Sequence, residues 1–256
     1  MNQSEKRLFL IQSLLKERPE YRDLSIPSES DSQRQLLRGL MNIRAPQRTD
    51  AEFLKTQDAY LQGETAAKGI TDIAGLTPIQ PGLYLWQGDI TTLKCDAIVN
   101  AANSGMTGCY IPNHRCIDNA IHTYAGVELR LACAELMEQQ GHPEPTGQAK
   151  ITPAFNLPCR YVLHTVGPII DGRVTKEDKE LLASCYRSCL ELAAENGLES
   201  VAFCCISTGE FHFPNEQAAQ IAVETVNRFM NRKTSVKKVI FNVFKDLDKA
   251  IYKKLL

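Results

Sequence analysis

Within eight positions, from residue 109 to residue 116 of GCYIPNHRC, the chain carries Cys109, His114 and Cys116. Two thiols and an imidazole are zinc-binding side chains, and Cys-x4-His-x-Cys in a loop with Pro112 can gather all three around one ion. A closed structural zinc site takes four protein ligands. No fourth stands nearby in the sequence, so a metal here would keep one position for water or substrate. The residue types alone fit three unrelated side chains equally well, because cysteine often serves as a small buried apolar residue.

Three further places could carry chemistry. ISTGEF (206–211) passes from an apolar run to a helical one through Ser207, Thr208 and Gly209, small residues whose backbone N–H groups can approach an anion. It lacks the lysine of a Walker loop, and an ordinary turn fits the same residues. Asn103 follows the apolar run AIVNAA and can both donate to and accept from a sugar hydroxyl, or simply take a left-handed turn. Asp118, two residues beyond Cys116, opens a helical stretch. There a carboxylate either serves acid–base chemistry or caps the helix.

These residues need elements that deliver them to one place. Strands are expected in 82–90, 95–102, 149–155, 160–168, 200–207 and 236–243, each short and apolar between turn residues. Between them, helical patterns cover 116–141 as one long helix, then 176–197, 215–232 and 248–256. Short strands alternating with helices predict a three-layer α/β/α domain on a mixed, largely parallel sheet. In such sheets ligands bind beyond the carboxyl ends of the strands, where VNAANS, HTVGP and STGEFHFPNEQ all lie.

Residues 1–80 read differently, as a helical N-terminal extension to a domain at 81–256. Leu8, Leu10, Ile11, Leu14 and Leu15 form one amphipathic stripe ending before Pro19. A second helix carries Leu36, Leu37, Leu40 and Met41 before Pro46. A third turns Phe53, Leu54, Ala59 and Leu61 inward. This extension contains no catalytic constellation and is expected to pack on the main domain as a cap.

With 256 residues, 43% of them apolar, the chain can bury a large core without staples. A formal net charge of −1 supplies no general basic footprint for nucleic acid and no polybasic patch for a membrane. Nine cysteines, an odd number, behind an N-terminus without a small-residue cleavage site argue for a cytoplasmic protein with free thiols. No apolar run is long enough to span a bilayer.

Taken together, GDIT (88–91), DAIVNAANS (96–104), CIDNAIHTYAG (116–126), HTVGP (164–168) and ISTGEFHFP (206–214) resemble a macrodomain, the ADP-ribose-binding α/β fold, in order and spacing. Where hydrolases of the MacroD type carry a run of glycines, this chain has CYIPNHRC. That departure, with the helical extension, is similar to the zinc-containing, sirtuin-linked macrodomains of microbial pathogens.

The resemblance implies one zinc ion per chain on Cys109, His114 and Cys116. It also implies ADP-ribose contacts from Asp89, Ile90, Asn103, Ser207, Thr208, Gly209, Glu210 and Phe211. Asp89 would accept from the adenine amino group, the 207–211 backbone would hold the diphosphate, and the Glu210 side chain would point to solvent. Asn103 and Asp118 would act at the distal ribose. The implied activity is removal of mono-ADP-ribose from protein side chains, acidic ones foremost. A lipoyl-carrier protein is the implied partner. A reader that binds without cleaving, or an O-acetyl-ADP-ribose deacetylase, would share the pocket; the metal and the preferred substrate separate the three.

Overall fold

The computed structural model describes residues 1–21 and 23–256. It begins with three helices, α1 (Gln3–Lys16), α2 (Ser30–Ile43) and α3 (Ala51–Lys68). Asn2 caps α1 in a reciprocal box with Glu5, and Asp50 caps α3 by accepting from the Phe53 amide. Leu10, Ile11 and Leu14 bury against Leu37, Leu40 and Met41 of α2 and Phe53, Tyr60 and Leu61 of α3. In α3 the inward stripe is Phe53, Thr56, Gln57, Tyr60 and Leu61, at helical spacings of three and four. Ala59 falls outside that stripe and is exposed, contrary to the expectation from sequence. Arg7, buried between α1 and α2, donates to Gln33 Oε1 at 3.0 and 2.9 Å.

A short strand, β1 (Thr71–Asp72), leads out of the extension. The main domain then runs β2 (Leu83–Gln87), β3 (Leu93–Lys94), β4 (Ala97–Ala102), α4 (Ile117–Ala125), α5 (Val127–Gln140), β5 (Ala149–Pro153), β6 (Tyr161–Val166), α6 (Lys176–Glu195), β7 (Ser200–Phe203), α7 (Asn215–Met230), β8 (Lys238–Val243) and α8 (Asp246–Leu255). Six strands form one sheet in the order β2-β8-β7-β4-β6-β5, parallel except for β5, and β1 pairs with β3 apart from it. Helices α6, α7 and α8 pack side by side, while α4 and α5 pack on β4 and β5. This is the expected three-layer arrangement. The central strands are almost wholly buried and read as apolar runs because both their faces are covered.

The single helix expected over 116–141 is two. Gly126 sits at φ 98° and ψ 176°, a conformation open only to glycine, and a Cβ there would fall 2.6 Å from the Gln57 side chain. Gln57 Oε1 accepts from the Val127 amide at 2.8 Å, and Val127 joins the core of the N-terminal helices. The break therefore turns α5 toward the extension. Conversely Ile73, before residue 80, belongs to the core of the main domain. Among the described residues no helix is long and apolar enough to cross a membrane.

Candidate active site

The parallel strands end on one edge, and the chemistry collects there. Between the end of β4 and the start of α4 lies the loop bearing Cys109, His114 and Cys116. The structure brings these three together, with their ligand atoms all within 4.8 Å of one another and Cys109 Sγ 3.6 Å from His114 Nδ1. Each is half-buried. Burial, reinforced by the neighbouring Cys109, pushes the Cys116 thiol up to about 12, against the Asn119 amide that donates to it at 3.4 Å. A cation would reverse that preference, since metal ligands bind as thiolates. Two thiols and one imidazole converging at this distance fit a zinc ion.

The Glu210 side chain is largely exposed, and its Oε1 comes within 3.7 Å of His114 Nε2, so the 207–211 turn and the Cys-His loop meet at this point.

Asp118 does not cap α4. Cys116 is the cap residue, and Asp118, in the first turn of the helix, points into the domain with 5% exposure. Asn100 Nδ2 donates to its Oδ1 at 2.8 Å and Asn103 Nδ2 lies 3.3 Å from its Oδ2. Burial pushes the carboxyl up to about 6, opposed by the Asn100 amide, by Arg130 and by Asn103. Asn103 does not take the left-handed backbone that its type allowed; its side chain instead closes the turn, accepting from the Gly105 amide at 2.9 Å and donating to the Gly108 carbonyl at 3.1 Å. It thus joins the Cys-His loop to the carboxylate.

At the anion loop, Ser207 is buried at φ 64°. The HTVGP loop presses on it so closely that a Cβ on Gly167 would collide with Ser207 Oγ. The turn's own hydrogen bonds use the amides of Thr208, His212 and Phe213. Those of Gly209, Glu210 and Phe211 make no hydrogen bond among the described residues, and amides so arranged can approach an anion.

Asp89 lies beyond β2 with Oδ1 accepting from the Thr91 amide and hydroxyl at 3.0 and 2.6 Å. Its Oδ2 meets Lys68 Nζ at 2.9 Å. Burial raises this carboxyl, but Thr91 and Lys68 outweigh it and hold it below its usual value. The Ile90 side chain is buried in the core.

Several residues at this edge fall outside the motifs read from sequence. Phe244, directly after β8, is 76% exposed, and its carbonyl accepts from Gln87 on the strand that leads to Asp89. A lone exposed aromatic at a strand's carboxyl end was the available cue. Asn100 interrupts an apolar strand, and that interruption marks it. Arg38, Asn42 and Lys68, all on the N-terminal helices, reach the site without any motif.

The turn of unpaired amides, the buried carboxylate and the thiol-imidazole cluster gather beyond the carboxyl ends of the parallel strands, where open α/β folds bind their ligands. The macro domain family model matches residues 99–222. The chain is 59% identical, over the whole length of both, to a protein from Treponema medium named protein-ADP-ribose hydrolase. It is 50% identical, over 96% of this chain and 92% of the other, to a protein of the same name from Staphylococcus aureus strain MSSA476. Among solved structures, the Trypanosoma brucei macrodomain in complex with ADP-ribose superposes with a TM-score of 0.66 at 30% identity, over 84% of this chain and 94% of that one. The chain belongs to the macrodomain family.

Proposed function

We propose that this protein hydrolyses mono-ADP-ribose from modified protein side chains, and that the linkage is an ester to an acidic residue. The observation that carries the reading is the convergence, within one loop and the helix after it, of Cys109, His114 and Cys116 with Asn103 and Asp118. Support comes from the two relatives named protein-ADP-ribose hydrolase and from the ADP-ribose complex of the trypanosome macrodomain.

Asp89 accepts from the adenine amino group, and the exposed face of Phe244 takes the base by stacking. The amides of Gly209, Glu210 and Phe211 hold the diphosphate. That places the distal ribose toward Asn103 and Asp118. Asn103 holds a ribose hydroxyl, and Asp118 orients a water and takes its proton as the water attacks C1″. The C1″–O bond to the protein breaks, the departing carboxylate receives a proton, and free ADP-ribose and an unmodified side chain result. A zinc ion on Cys109, His114 and Cys116 would supply Lewis-acid polarisation of a ribose oxygen.

The test is release of ADP-ribose from a protein esterified on acidic side chains, with a modified lipoyl-carrier protein as a second substrate. Native protein is compared with a folded Cys116→Ala form, and both are assayed for zinc. Cleavage and about one zinc in the native form, both lost in the variant, support the reading. Binding of ADP-ribose without cleavage by either form makes the protein a reader.

A further inference from the structure

The Cys-His loop is held by side chains that come from outside the main domain. Arg38, on α2, donates Nη2 to the His114 carbonyl at 2.9 Å, and its Nε and Nη2 donate to Asn119 Oδ1 at 3.1 and 2.8 Å. Asn119 passes the contact on. Its Nδ2 donates to the Ile111 carbonyl at 3.0 Å and its backbone amide to the Cys116 sulfur at 3.4 Å.

One helical turn beyond Arg38, Asn42 Oδ1 accepts from the Asn113 amide at 3.0 Å, while its Nδ2 donates to Thr123 Oγ1 at 3.0 Å. Asn113 adopts a left-handed backbone, φ 57°, immediately before His114. Gly39 lies between the two contacts. A Cβ there would stand in ordinary van der Waals contact, 3.4 Å from the Asn113 side chain and 3.7 Å from Pro112, so the loop rests directly on this face of the helix. Positions 38, 39 and 42 share one face of α2.

We propose that Arg38 and Asn42 are positioning residues for the Cys109–His114–Cys116 cluster, so that the N-terminal helical layer sets how tightly the loop retains a zinc-type cation. This rests on the reading of the cluster as a metal site.

The physical reason is preorganisation. Cys109 and His114 sit in irregular chain between β4 and α4, and holding such chain in a ligating geometry costs conformational entropy that is charged against metal affinity unless it has been met beforehand. Arg38 holds the loop backbone at His114 and, through Asn119, at Ile111, while the Asn119 amide meets the Cys116 sulfur. Asn42 fixes the strained residue before the imidazole. Neither touches a ligand atom, so neither changes the donor set. Partners of this outer kind alter metal affinity by about 10–100-fold.

The experiment uses the full-length chain loaded with zinc and measures retention against a chromogenic chelator. Native protein is compared with Arg38→Ala, Arg38→Lys, Asn42→Ala and Cys116→Ala, with thermal melting of each in metal-free and zinc-loaded form. Arg38→Ala is expected to weaken retention by about 10–100-fold. Arg38→Lys, which keeps the charge but cannot fork across Asn119 and His114, should fall between it and the native protein. The zinc-induced rise in melting temperature should shrink in the same order, which a residue serving general stability alone would not produce.

If Cys116→Ala loses zinc while Arg38→Ala and Asn42→Ala retain it as tightly as native protein, the metal reading stands and this inference is overturned. If native protein retains no more zinc than Cys116→Ala, both are overturned. Should Arg38→Ala fail to fold, Arg38→Lys and Asn42→Ala decide the matter on the same scale.

Discussion

Asp118 draws its character from two asparagines. Buried at 5% exposure, its carboxylate faces Asn100 at 2.8 Å and Asn103 at 3.3 Å, and both amides can donate to the charged form. Asp118→Asn keeps the volume and removes the acceptor pair. It is expected to lower kcat for ADP-ribose release by about a hundredfold or more, as loss of a positioned base does. ADP-ribose binding, measured by calorimetry, should change far less; an unchanged kcat would remove Asp118 from the reaction. At the other end of the site Phe244→Ala is expected to weaken ADP-ribose by about 5–100-fold, the range for removing an aromatic from a stacked base. An unaltered dissociation constant would show that the base lies elsewhere. Residue types in the sequence pointed to Asp118 and Asn103 because both flank the Cys-His stretch. They did not point to Asn100 or Phe244, whose significance depends on strand ends that meet only in the folded sheet.

At the scale of elements, the joint between the extension and the domain is the informative place. Arg130 on α5 donates to the Met41, Asn42 and Arg44 carbonyls at the end of α2, at 3.2, 2.6 and 2.7 Å. Through the same guanidinium it reaches the Thr107 carbonyl at 2.8 Å and lies 4.2 Å from the centre of the Tyr110 ring. It thus supplies donors to the buried carboxyl end of α2 and to the approach of the Cys-His loop at once. Arg130→Met should cost about 3 kcal/mol or more, because several buried carbonyls lose a charged donor together. The check is urea denaturation, and a loss below about 0.5 kcal/mol would mean that water replaces the guanidinium. The alternation of short apolar strands with helices was readable as a three-layer domain because burial on both faces leaves an unmistakable apolar run. The break at Gly126 was not, since an apolar period continues across it and only the close approach of Gln57 requires the bend. Likewise, the N-terminal helices read as a cap because their stripes are apolar, while the polar residues that reach the site, Arg38, Asn42 and Lys68, look like ordinary surface.

Over the whole molecule, two histidines lie where the layers meet. His122 faces Asp118 on its own helix, Arg130 and Cys133 on α5, and His164 on β6, with ring centroids 6.1 Å apart. His164 contacts Asn100 at 3.2 Å, Thr152 at 2.9 Å and Cys133 at 3.7 Å. Burial holds His164 down to about 3 and His122 well below its ordinary value. Both therefore stay neutral in the native protein while the unfolded chain protonates them near pH 6.5. Below that pH the unfolded state carries up to two additional protons, so stability is complete above it and declines as the pH falls. Each extra proton contributes a slope of about 1.4 kcal/mol per pH unit. Asp118 works in the opposite sense, since its raised value lets the native state take a proton first below about pH 6. One net proton is left to favour unfolding there. Urea midpoints of the metal-free protein are thus expected to fall from pH 7.5 to pH 5, and His164→Asn to remove most of the decline, because the proton taken by Asp118 then offsets the one taken by His122. A native midpoint constant across that range would mean that one ring takes its proton inside the fold, through a water at the joint between α2 and α4 where His122 has no hydrogen-bond partner among the described residues.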